Sequence, residues 1–166
     1  MTDSMGNTWT DSFSVTVVKV GTELVYYANK FTDSTGNGTY NNGDGTINPG
    51  EVIYMDVAIQ NTGTSIGLGI NAVLSTASSY VTIETAEHEY GSIGKGYYKT
   101  AYSAYYSYYA ESGYSSSCEI DYKPASGFKF TVSSETPDGT EIPFTLTMTD
   151  SMGNTWTDSF SLTVKE

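Results

Sequence analysis

At 166 residues the chain is long enough for one domain with a proper core, and its abundant Gly, Ser, Thr, Asn and Tyr, without sustained 3.6-residue apolar spacing, favour short strands over helices. Nineteen acidic residues against seven lysines and no arginine give a formal charge of −12. That field repels phosphate backbones and the bidentate arginine contact is missing, which argues against nucleic-acid binding. No apolar run is long enough to insert in a membrane, and a single cysteine, Cys118, cannot form an intrachain disulfide.

In chain order, residues 1–17 come first, as a turn followed by a strand with an apolar face of Trp9, Phe13, Val15 and Val17. No strand precedes the turn to pair with it, so its edge needs shelter in another sheet. Strands are then expected from Glu23 to Phe31, from Glu51 to Asn61 with Ile53, Met55, Val57 and Ile59 inward, and from Ile66 to Ser75 with Ile70, Ala72 and Leu74 inward. Two shorter ones follow, from Tyr80 to Glu84 and from Phe128 to Ser133. The clusters 61–64, 77–79 and 136–139 punctuate them with turn residues.

Between the first two strands, residues 40–51 can be laid on a twelve-residue calcium loop. Asn42, Asp44, Thr46, Asn48 and Glu51 take the third, fifth, seventh, ninth and twelfth positions, and Gly45 makes the sharp turn. Tyr40 spoils the first position, which Asp33 or Asn37 could fill by folding back. The competing reading is a Gly/Asn-rich loop satisfied by its own Asx turns. His88, the sole histidine, stands between Glu87 and Glu89 on a turn-like stretch, where a solvated side chain is expected. It finds no second histidine or cysteine pair for a triad or a zinc site. Neither a catalytic constellation nor a cofactor motif emerges, and the chain reads as non-enzymatic.

Residues 96–122 hold nine of the fifteen tyrosines, interleaved with Ser, Ala and Gly. Tyr97, Tyr98, Tyr102, Tyr105, Tyr106, Tyr108, Tyr109 and Tyr114 would give large contact area at low entropic cost, a composition suited to gripping a glycan, a protein or a neighbouring repeat. The alternative is a sheet extension whose tyrosines stack across strands. At the end of the chain, alternation over Ile142 to Met148 and Trp156 to Val164, joined by Asp150-Ser151-Met152-Gly153-Asn154, reads as a hairpin with an Asx turn. Asp158 falls on the apolar phase of its strand, which implies a bulge or a carboxylate that caps a neighbouring turn.

Residues 1–17 reappear as 148–164, with Val15 against Leu162 as the one difference, at an offset of 147 (148 − 1). Even the outward Thr and Ser positions match, which fold constraint alone would have let drift. The pattern is that of recent duplication in a longer tandem array, of which this chain would be an excerpt. It divides into residues 1–17, the terminal strand of a preceding repeat, and 18–166, one complete repeat.

Residues 43–51 (GDGTINPGE) with the strand VIYMDVAIQNTG, and residues 136–164 (TPDGTEIPFTLTMTDSMGNTWTDSFSLTV), resemble the two ends of the immunoglobulin-like, CARDB-like tandem repeats of bacterial and archaeal extracellular surface proteins. The middle, from about Glu84 to Pro124, lies outside the resemblance. It implies an all-β, immunoglobulin-like antiparallel two-sheet sandwich with a long Tyr/Ser-rich insertion, secreted or at the cell surface, in a family without an activity of its own. The function expected is then structural: a stalk, fibre or sheath unit pairing with neighbouring repeats or identical chains through β-strands. A glycan- or protein-binding adhesion module using residues 96–122 is the alternative, and an accessory domain of an extracellular hydrolase the third.

Overall fold

Period-two burial organises the chain, because a strand with one apolar face must lay that face on another sheet. A computed structural model describes residues 3–15, 20–33, 41–101, 108–109 (backbone only) and 127–166. Its strands are β1 (Leu24–Thr32), β2 (Val52–Asn61), β3 (Gly67–Thr76), β4 (Val81–Thr85), β5 (Glu87–Ile93), β6 (Tyr97–Thr100), β7 (Tyr108–Tyr109), β8 (Phe128–Val132), β9 (Glu141–Thr149) and β10 (Thr155–Thr163). In one sheet β2 is central. It pairs along its length with β1, and on its other edge with β8 through Val52–Met55 and with β6 through Ala58–Gln60; β4 and β7 lie outside β8 and β6. The second sheet has the order β10-β9-β3-β5, and all these strand pairings are antiparallel.

The two sheets pack as a sandwich. Between them lie Ile53, Met55, Val57 and Ile59 of β2, Ile70, Ala72 and Leu74 of β3, Phe128 and Phe130 of β8, and Ile142, Phe144, Leu146 and Met148 of β9, all nearly inaccessible to water. Each large apolar side chain so buried contributes about 1.5–3 kcal/mol. The inward sets expected for the second and third strands and the first arm of the hairpin are thus the core.

Strand β5 has no counterpart among the expected strands, whereas β6 and β7 pair antiparallel inside the tyrosine-rich segment, as its sheet-extension reading has it. In β5 only Tyr90 and Ile93 are fully buried, and register shifts opposite Gly67, Ile70 and Asn71 break the alternation that would have marked it. His88 belongs to this strand, so it is half-buried rather than solvated. Its ring meets Tyr90 edge-on at 5.2 Å, and burial lowers its pKa.

The hairpin turn is set locally. Asp150 Oδ1 accepts from Met152 N and Asn154 N at 2.9 Å each, Oδ2 accepts from the Asn154 amide at 2.9 Å, and Gly153 takes φ 83°. A residue with a Cβ would be strained at that φ. Hydrogen bonding, led by the Asn154 side chain, holds Asp150 below the usual carboxylate range.

Candidate functional site

The same turn forms a second time where no hairpin surrounds it. Asp3 Oδ1 accepts from Met5 N and Asn7 N at 2.9 Å each, Oδ2 accepts from the Asn7 amide at 2.9 Å, and Gly6 has φ 83°. The pentapeptide therefore encodes its fold without help from β9. Beyond the bridge residue Thr8, residues 9–15 are in no strand, and Trp9, Phe13 and Val15 are 59%, 91% and 74% exposed. Val17 lies outside the described residues. In β10 the counterparts Trp156, Phe160 and Leu162 are partly buried against the core, and Val164, just beyond the strand, is fully buried.

Strand β10 is an edge, and two contacts join it to β1 across the seam between the sheets. Phe160 stacks on Phe144 of β9 (5.5 Å, 18°) and on Tyr26 of β1 (4.6 Å, 15°), so an aromatic row crosses the seam between the sheets. Asp158 sits in the same seam. Its Oδ2 accepts from Tyr26 N at 2.9 Å and its Oδ1 from Ser159 N at 2.8 Å. Of the two roles expected for Asp158, the bulge is corrected: β9 and β10 pair without a register shift from Thr155 to Thr163, and the irregularity lies in β1, between Tyr26 and Ala28. The carboxylate caps, but it caps strand amides instead of a turn. An inward carboxylate on an edge strand also discourages further strands from adding. Asp158→Ala is expected to cost about 1–2 kcal/mol, the worth of charge-assisted hydrogen bonds at a partly buried site, and to increase self-association. Urea titration and light scattering check both.

The loop 41–51 forms one pole of the sandwich. Asn41 uses its amide like a strand partner, donating to Val52 O at 2.6 Å and accepting from Val52 N at 2.8 Å. Glu51 is fully buried, and its carboxylate accepts from Asn48 N at 2.9 Å and Asn42 N at 3.2 Å. Asp44 Oδ1 accepts from Thr46 N and Oγ1, at 2.7 and 2.5 Å, and Oδ2 accepts from the Asn42 amide at 3.1 Å; the Thr46 bonds hold Asp44 below the usual range. Asn48 accepts from the Asn42 amide at 2.8 Å, and Asp33 does fold back, accepting from Gly45 N at 3.0 Å. Tyr40 and Asn37 lie outside the described residues.

These oxygens suit a hard cation in chemistry, yet both oxygens of Glu51 serve backbone amides, and among the described residues no three His, Cys, Asp or Glu are grouped closely enough to hold a metal ion. What the loop does hold is the end of the chain. Ile47 and Val164 form a parallel bridge, Lys165 N donates to Ile47 O at 2.9 Å, and the Asn48 amide donates to Lys165 O at 2.8 Å. Glu166 N donates to Asp138 Oδ1 at 3.0 Å. Sequence reading missed this anchoring, which spans 117 positions between Asn48 and Lys165 and leaves no local pattern.

Burial raises the Glu51 pKa above the ordinary 4.5 despite the amides of Asn48 and Asn42. Since the folded chain binds this proton more readily than the unfolded one, the Glu51 contribution is most favourable below the ordinary range and is lost as pH rises through the folded value. Glu51→Gln should remove that decline. It should also cost about 1–3 kcal/mol, because an amide NH2 would face a buried backbone N–H. Denaturation of both proteins from pH 4 upward checks both the sign and the size.

Of the tyrosine contact set, Tyr97 packs partly buried against the core, and Tyr98 stacks on Tyr27 at 4.9 Å and 17°. Tyr108 and Tyr109 form β7; Tyr102, Tyr105, Tyr106 and Tyr114 lie outside the described residues. A comparison with protein-family models gives no match, and neither does a comparison with curated proteins.

Proposed function

We propose that this chain is a non-enzymatic, immunoglobulin-like structural repeat of an extracellular or cell-surface protein, whose partners are neighbouring repeats or identical chains reached through β-strand pairing. The observation that carries the reading is the duplicated segment. Residues 3–7 and 150–154 fold into the same turn, and the strand-like sequence after the first copy exposes the side chains that β10 directs toward its core. A strand with an apolar face and a sequence that already fits β9 has a sheet of this same kind as its natural cover. Light scattering over a concentration series tests it. The full chain is expected to self-associate and a variant lacking residues 2–17 to stay monomeric; identical masses would refute pairing between chains.

The second reading, a ligand-binding adhesion module, is supported by the Tyr27–Tyr98 stack, because Tyr27 is 52% exposed beside the start of the tyrosine-rich segment. Such a shelf suits the apolar face of a sugar ring. Loss of glycan-array binding in Tyr27→Ala/Tyr98→Ala would support it, and an array without hits would end it. Of the two readings of the loop 41–51, the one satisfied by its own hydrogen bonds is favoured over calcium, because both oxygens of Glu51 already serve backbone amides. Chelation is expected to leave the melting temperature unchanged, and a fall reversed by added calcium would restore the cation reading.

A further inference from the structure

The chain enters and leaves the sandwich at opposite poles. At the entry pole Gly21 is fixed by Thr64: Gly21 O accepts from Thr64 N at 2.8 Å, and Gly21 N donates to Thr64 Oγ1 at 3.0 Å. Thr22 Oγ1 donates to Ile66 O at 3.2 Å. Gly63 lies so close that an added Cβ would stand 2.3 Å from Gly21 O. The hairpin turn 150–154 is at this pole too, since Ser151 N donates to Leu68 O at 2.9 Å. At the exit pole the backbone is held as far as Glu166 by Ile47, Asn48 and Asp138.

The offset of 147 aligns these two sets of anchors. Glu166 corresponds to position 19 (166 − 147), and the bonds that hold residues 165 and 166 use only their backbone atoms, so they do not depend on the side chains found at positions 18 and 19. Between the last anchored residue of one repeat and Gly21 of the next stands one residue, Val20. Two residue steps span no more than about 7 Å, which brings successive poles into contact. The entry pole carries a cluster of exposed apolar side chains suited to that contact: Val20 (81%), Ile66 (52%), Leu68 (47%) and Met152 (73%).

We infer that Val20, Ile66, Leu68 and Met152 form a docking surface for the preceding copy of the repeat, seated on its 41–50 loop and 137–139 turn, so that repeats stack head to tail as a stiff rod. The inference rests on the tandem reading. It adds that the junction is a packed interface where a flexible tether is the default for linked domains.

The test is the full chain extended by one period, with residues 18–166 appended after Val164, in a Cys118→Ser background with Thr157→Cys spin labels in both copies. Urea unfolding followed by tryptophan fluorescence reports whether both copies fold, and double electron–electron resonance reports their spacing. One narrow distance distribution is expected, broadening about twofold when Ile66, Leu68 and Met152 of the second copy become serine, as a junction without a packed interface would allow. Met152→Lys alone, at the turn tip, gives the same readout if the triple variant does not fold. Two folded copies with a broad distribution, or a narrow one that the substitutions leave unchanged, overturn the stacking and spare the tandem reading. An appended copy that does not fold overturns both.

Discussion

Asn61→Ala should lower the unfolding free energy by about 3–4 kcal/mol, because buried hydrogen bonds are worth roughly 1 kcal/mol each and more when a partner is left unsatisfied. Asn61 is fully buried, and its amide makes four bonds. It donates to Ser65 O at 2.8 Å and Ile93 O at 3.0 Å, and accepts from Gly63 N at 3.0 Å and Glu23 N at 3.3 Å. One side chain thus ties the start of β1, the 61–65 loop and the end of β5 into the entry pole. Asn61→Asp keeps both acceptor contacts but turns two donors into acceptors facing carbonyls, and a comparable loss is expected. A loss below about 1 kcal/mol for either variant, by urea titration, would mean that water replaces these bonds.

Phe144→Ala is expected to cost about 3–5 kcal/mol, the range for truncating a buried phenylalanine. Phe144 is fully buried and touches both sheets, with its ring 5.1 Å from Phe130 on β8 and 5.5 Å from Phe160 on β10. The cavity would open beneath β10, the strand whose sequence recurs in residues 8–16. Strand β10 should therefore loosen more than β3, read as faster amide exchange from Thr155 to Thr163 than from Gly67 to Thr76. Equal loosening would show that Phe160 stays seated through Tyr26 alone.

The strands around the core were legible because Val52–Asn61 and Ile142–Met148 place apolar residues at every second position, and a half-buried strand needs nothing more to declare itself. The strand from 87 to 93 was not, since its two buried residues, Tyr90 and Ile93, stand three apart across a glycine and its register shifts against β3. Candidate sites divide along the same line. The Asx turns at Asp3 and Asp150 are contained within five residues and repeat wherever the pentapeptide does, and Asp33 reaches a loop only 12 positions away.

By itself, then, the sequence determined the all-β class, the inward faces, the local turns and the duplication, because each depends on neighbours within a few residues or on simple identity. Tertiary structure alone decided that Asp158 closes the seam against an amide 132 positions away, that Asn48 clamps the outgoing strand, and that entry and exit lie at opposite poles. Those facts depend on which strands become spatial neighbours. Sheet order fixes that, through the burial of many weakly specific apolar faces at once, and local pattern does not encode it.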